Sequence, residues 1–105
     1  MSATIARWTT PSVLYKPAQA EVSDVAEIYL VLRQKGEEKL RKSKADASIS
    51  EDGFLWNFTQ EDTGNLTANS TVRIQIDYVT KSGQRYTTRA VMTELINSAV
   101  NEVIA

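Results

Sequence analysis

Three features of the sequence predict an all-β sandwich. From Val72 onward apolar and polar residues alternate without a break, with Val72, Ile74, Ile76 and Tyr78 on one face and Arg73, Gln75 and Asp77 on the other. That period-two pattern marks an antiparallel strand with one buried and one wet face. Turn signals built from Gly, Pro, Asp and Ser recur roughly every 8–12 residues. No long segment carries the 3.6-residue apolar period of a helix. Together these predict an antiparallel β-sandwich of immunoglobulin-like type, with about seven strands, a short helical turn near 60–64 and a short C-terminal helix. A small barrel is the alternative.

The elements follow in order. Residues 1–10 hold Ile5 and Trp8 among Thr and Ser and read as an edge strand or a loose arm. Pro11 and Pro17 bracket Ser12-Val13-Leu14-Tyr15-Lys16. Proline cannot donate to a ladder, so this piece is an edge strand or an extended connection. Residues 24–34 form the strongest early strand, with Ile28, Leu30 and Leu32 inward and Glu27, Tyr29, Val31 and Arg33 outward. Lys35-Gly36-Glu37 supplies a tight hairpin turn, Gly36 providing the positive φ such turns need. The returning strand over 38–44 has one apolar residue, Leu40, as expected of an edge protected against aggregation.

Residues 45–49 form a short strand, Glu51-Asp52-Gly53 a turn, and 54–58 another strand with Phe54, Trp56 and Phe58 on one face. Thr59 and Asp62 stand at capping-box spacing, with Asp in place of Glu, so a helical turn starts here. Gly64 is expected to end it, and Leu66 to anchor the crossover to the core. Lys81-Ser82-Gly83 turns the chain into a last strand from Gln84. Beyond Leu95, Ile96, Ala99, Val100, Val103 and Ile104 sit at helical spacing, so 96–105 is read as a short amphipathic helix, with a strand to Leu95 and a frayed tail as the alternative.

Composition narrows the function. A chain of 105 residues is expected to form one domain over 1–105, burying about two-thirds of its unfolded surface. Without cysteine it has no disulfide and no thiolate metal site. Without histidine it lacks the commonest general base and the side chain that titrates near neutrality. Serine–histidine and cysteine–histidine catalysis are therefore impossible, and the expectation is a protein that is not an enzyme. A net charge of −1 offers no basic footprint for nucleic acid. No apolar run suits a membrane span and no signal-peptide layout opens the chain, so the expected setting is the cytoplasm, with no membrane partner.

The acids Glu51, Asp52, Glu61 and Asp62 come in pairs on separate loops rather than at calcium-loop spacing, and read as turn and cap residues. No metal and no cofactor are expected. The basic residues Lys35, Lys39, Arg41, Lys42 and Lys44 are diluted by Glu37 and Glu38 and lack interleaved aromatics. They read as a solvated edge rather than a nucleic-acid site. Trp56, Tyr78 and Tyr86 fall on core faces. Trp8, Tyr15 and Tyr29, with Lys39 and Arg41, are the candidate interface residues, since aromatics and arginine dominate binding hot spots.

The run Phe58-Thr59-Gln60-Glu61-Asp62-Thr63, then Val72-Arg73-Ile74-Gln75-Ile76, then Gly83 and Arg85, resembles small immunoglobulin-like proteins encoded in phages and prophages of Gram-positive bacteria. The likeness covers about residues 24–93, with Phe58 where leucine is more usual. It implies a non-enzymatic structural or assembly role in the virion or baseplate, through protein–protein contacts, with a homo-oligomer expected. The setting it implies is the host cytoplasm during assembly and then the particle. The residues that carry it (Thr59, Gln60, Asp62, Thr63, Gln75) imply structure rather than a ligand site. The alternative is a soluble binding module for a peptide, glycan or nucleic acid.

Overall fold

The computed structural model describes residues 3–6, 8–67, 71–88 and 91–96, with side chains described for 8–67 and 71–88. Among the described residues the strands are β1 (Ala3–Ala6), β2 (Ser12–Tyr15), β3 (Val25–Gln34), β4 (Glu37–Lys42), β5 (Ala47–Ser50), β6 (Gly53–Asn57), β7 (Thr71–Thr80), β8 (Arg85–Thr87) and β9 (Val91–Ile96), with a short α-helix, α1 (Gln60–Gly64), between β6 and β7 and 3-10 turns at Val22–Asp24 and Lys44–Asp46. A large sheet has the order β1-β9-β7-β3-β4, with β8 also on β7; a small sheet has the order β2-β6-β5. The chain is an all-β sandwich with a short helix.

The inner faces follow from alternation. β3 buries Ile28, Leu30 and Leu32; β7 buries Val72, Ile76 and Tyr78; β6 buries Phe54 and Trp56, and Phe58 and Leu66 complete the core. Val25 is buried out of phase with Ile28 because a bulge falls between Val25↔Thr80 and Glu27↔Val79. The Trp56 indole Nε1 donates to the Ser43 carbonyl at 2.9 Å, so its buried polar atom is satisfied. Gln34 ends β3 on the same inward phase, 2 % exposed. Its Nε2 donates to the Thr67 carbonyl at 2.9 Å and its Oε1 accepts from the Thr67 amide at 2.7 Å. One side chain thus supplies the two bonds a neighbouring strand would have made.

Several expectations are sharpened. The strands among the described residues number nine because Ala3–Ala6 pairs rather than hanging loose, and because the return from Gln84 is split. β1 lies parallel to β9, with Ala3 opposite Thr93 and Ala6 opposite Ile96, in an otherwise antiparallel arrangement. The split between β8 and β9 is a register step: Asp77 pairs with Thr87 but Ile74 with Val91. At the step the Thr88 amide donates to Ile76, and the Thr88 hydroxyl accepts the Ile76 amide at 2.9 Å where a backbone carbonyl would have stood. At the C-terminus, Leu95 and Ile96 belong to β9, as the strand alternative had it. The rest of the expected 96–105 helix lies outside the described residues.

Turn chemistry is local. Lys35 (φ 51°) and Gly36 (φ 80°) form the two-residue turn between Gln34 and Glu37. Both lie in the left-handed region, as the favoured hairpin turns require. Gly53, at φ 126°, approaches β2 so closely that a Cβ there would overlap the Tyr15 carbonyl and lie 3.1 Å from Lys16 Cα.

α1 begins as its spacing predicts. The Thr59 hydroxyl accepts from the Asp62 amide at 3.1 Å, and the Asp62 carboxylate accepts from the Thr59 amide at 2.9 Å. Gly64 does not stop the helix by adopting a positive φ; Asn65 is the C-cap, in the right-handed region. Instead the Trp8 ring lies where a Gly64 Cβ would be. Trp8 holds φ 64°, rare for a bulky residue. The Thr63 hydroxyl donates to the Thr9 carbonyl at 2.8 Å, fastening the same pair of segments.

Two substitutions check these assignments. Gly64→Ala would gain helix propensity in an open site, but here overpacking against Trp8 dominates. A loss of about 1–3 kcal/mol is expected in urea unfolding, with a red-shifted tryptophan emission as Trp8 is displaced. Lys35→Asn relieves the left-handed residue of the turn and should stabilise by about 0.5–1 kcal/mol, read as a higher urea midpoint at unchanged slope.

Candidate interaction surface

The outward phase of the large sheet forms the most structured surface among the described residues. β3 contributes Tyr29, Val31 and Arg33, β4 contributes Glu38 and Arg41, β7 contributes Asp77 and Val79, and β8 contributes Arg85. A shallow depression of about 470 Å³ opens here, with Val31 and Val79 among its lining and Tyr29, Arg33, Arg41 and Arg85 beside them. The same alternation that buries Ile28, Leu30 and Leu32 puts these residues side by side.

The charges are paired. Arg41 Nη2 lies 2.8 Å from Glu38 Oε1, and Arg33 Nη2 lies 4.0 Å from the same oxygen. The Arg41 guanidinium also sits 5.8 Å from the Tyr29 ring centre, a cation–π distance. Tyr29 donates to Glu27 at 3.3 Å. Arg85 Nη2 meets Asp77 Oδ2 at 3.0 Å, and the Thr87 hydroxyl donates to the other Asp77 oxygen. That hydroxyl is the largest influence on the Asp77 carboxyl; burial opposes it, and Arg85 then adds enough to hold the group below its usual range. The hydrogen bond from Arg41 lowers Glu38 in the same way.

The candidate interface residues divide. Tyr29 and Arg41 come together, and Lys39 lies on the same strand as Arg41, with its ammonium 3.3 Å from Glu37. Trp8 and Tyr15 stand elsewhere and are engaged in packing the sandwich. Trp8 covers Gly64, and the Tyr15 ring lies 6.2 Å from Tyr78, which in turn lies 5.3 Å from Tyr86. Burial, then the Tyr78 hydroxyl, push the Tyr15 phenol up. Arg33, Asp77 and Arg85 complete the surface without having been singled out as contacts. Their signal was available: they share the outward phase with Tyr29 on strands already recognised.

The paired acids do not converge. Glu51 and Asp52 occupy the β5–β6 turn, Glu61 and Asp62 belong to α1, and no group of three or more acids able to hold a metal occurs among the described residues. No helix among them is long and apolar enough to cross a membrane. Thr59, Asp62, Thr63 and Gln75 have folding partners. Thr59 and Asp62 cap α1, Thr63 reaches Thr9, and Gln75 Nε2 donates to the Thr88 carbonyl at 3.1 Å. A scan against protein-family models found no match, and searches of curated proteins and of solved structures found none either.

Asp62 also receives Lys42 Nζ at 2.9 Å, tying α1 to the edge strand β4. Burial pushes this carboxyl up, but the Thr59 amide and the Lys42 ammonium outweigh it, so its pKa is lowered on folding. The unfolded chain therefore binds a proton before the folded chain does as pH falls. The contribution of Asp62 is complete above the ordinary aspartate value near 4 and is lost as pH drops through the lower folded value. Asp62→Asn should cost about 1 kcal/mol at pH 7 and flatten the acid limb of stability against pH, measured by urea melts from pH 7 to pH 2. An unchanged acid slope would show that the carboxylate contributes nothing.

Proposed function

We propose that this chain is a non-enzymatic assembly module of a phage or prophage particle that acts through protein–protein contacts. The observation that carries the contact reading is the outer face of the large sheet, where Tyr29 and three arginines line one depression together with Val31 and Val79. Tyrosine and arginine are the residues most enriched in interface hot spots. The particle assignment rests on the resemblance of 58–63, 72–76, Gly83 and Arg85 to phage-encoded modules. It places the chain in the host cytoplasm during assembly and then in the particle.

A nucleic-acid reading of the same face is weaker. Arg41 and Arg85 are each within 3.0 Å of a carboxylate oxygen. A phosphate would have to displace those acids, whereas phosphate sites offer unneutralised cations.

The test uses the purified full chain and the products of the neighbouring genes. Light scattering at several concentrations and pairwise co-purification should reveal self-association or a particle protein as partner. Tyr29→Ala should weaken that contact at least about tenfold, with thermal stability nearly unchanged. A strict monomer that binds no particle protein, or one that binds DNA tightly at low salt, overturns the proposal.

A further inference from the structure

Building on the assembly reading, we infer that the free edge of β4 pairs antiparallel with the β4 edge of a second copy of this chain. Among the described residues β4 has a neighbour on its β3 side only, and a bulge at Lys39 shifts that pairing from Leu32↔Leu40 to Arg33↔Glu38. Its outer edge is therefore a row of backbone groups available to another strand. Strand addition is a standard mode of protein recognition, and the choice among the edges follows from their chemistry.

The small-sheet edges β2 and β5 have four residues each, and β2 lies between Pro11 and Pro17. β4 has six residues and no proline. Its charges are ordered: Glu37 and Glu38 occupy the first part, and Arg41 and Lys42 the last. Because Lys39 is bulged out of the β3 pairing, Glu38 and Arg41 share the outward face, and an antiparallel partner of the same sequence sets Glu38 of each copy beside Arg41 of the other. A parallel partner sets acid on acid and base on base. Opposite charges across paired strands stabilise, and like charges destabilise. The pattern therefore selects both the partner and the direction, and it disfavours promiscuous pairing by uncharged strands.

The ion pairs already present fit this arrangement. Glu38 and Arg41 lie 2.8 Å apart within one strand and are both substantially exposed. Two copies bring two such pairs into one cluster of alternating sign, while Lys39 and Lys42 keep Glu37 and Asp62 of their own copy. Arg41 also touches the Tyr29 ring, so the pairing would extend the outer face from one copy into the next. A two-fold axis between the two β4 strands makes the contact self-complementary and closed, as dimeric interfaces are.

A charge-exchange experiment tests this on the full chain. The unmodified protein should run at 11.7 kDa when dilute and at twice that mass when concentrated. Glu38→Arg alone and Arg41→Glu alone each place like charges across the axis and should weaken association at least about tenfold. Mixing the two variants restores both opposite pairs and should recover the dimer as a mixed species. Thermal melts establish that both variants fold. Amide exchange on the unmodified chain gives a readout without substitution: protection in β4 should rise with concentration. A dimer indifferent to both variants, no recovery on mixing, or concentration-independent β4 exchange overturns the edge assignment and leaves the assembly reading intact. A monomer at every concentration also overturns it, and overturns the assembly reading only if no particle protein binds.

Discussion

Everything in this fold depends on the register between β3 and β7. The two ten-residue strands lie at the centre of the large sheet, with Ile28 opposite Tyr78, Leu30 opposite Ile76 and Leu32 opposite Ile74. One alternation serves two purposes. Its inward phase supplies most of the core wall, and its outward phase supplies Tyr29, Val31, Arg33, Asp77 and Val79. A one-residue slip of either strand would exchange the two sets and bury charge, so selection for the core and for the surface acts on a single structural variable. The bulge near Val25 leaves that central pairing undisturbed because it lies at its margin, and the register step at Thr88 does so because it meets Ile76 on the opposite edge of β7.

Where ladder bonds end, side chains take over. Gln34 bonds both backbone groups of Thr67. The Thr88 hydroxyl receives the Ile76 amide. Lys44 Nζ reaches the Val25 carbonyl at 2.9 Å, and Lys42 reaches the cap of α1. Each sits at a strand end or a connection, where a backbone group would otherwise go unsatisfied at a cost of about 1–3 kcal/mol if buried. The lysines that look like a basic stripe along 39–44 are divided in this way between the interior ties of Lys42 and Lys44 and the surface ion pairs of Lys39 and Arg41.

Local chemistry was legible in the sequence and convergence was not. Period two announced β3, β6 and β7; Lys35-Gly36 and Lys81-Ser82-Gly83 announced their turns; and the spacing of Thr59 and Asp62 announced the cap. These signals act over a few residues, so a linear reading finds them. Gly64 does end α1, as its place in the sequence suggested, but without a left-handed conformation; the need for glycine there comes from Trp8, more than fifty residues away in the chain. The parallel pairing of β1 has no local signature at all. The outer face was half visible: Tyr29 and Arg41 attracted notice as residue types, whereas Arg33, Asp77 and Arg85 matter through neighbours that only the sheet order supplies.

The join between residues 8–11 and the crossover has a kinetic meaning. Trp8 covers Gly64, Thr9 accepts from Thr63, and the Pro11 carbonyl accepts the Phe58 amide at 2.9 Å. Three contacts between two short segments make them a single cooperative unit, because releasing α1 removes every one of these restraints on the early chain at once. Such units open together in partial unfolding, below the cost of global unfolding. The sandwich therefore carries a latch: residues 8–11 and 58–64 dissociate jointly or stay shut, while the β3–β7 centre remains folded.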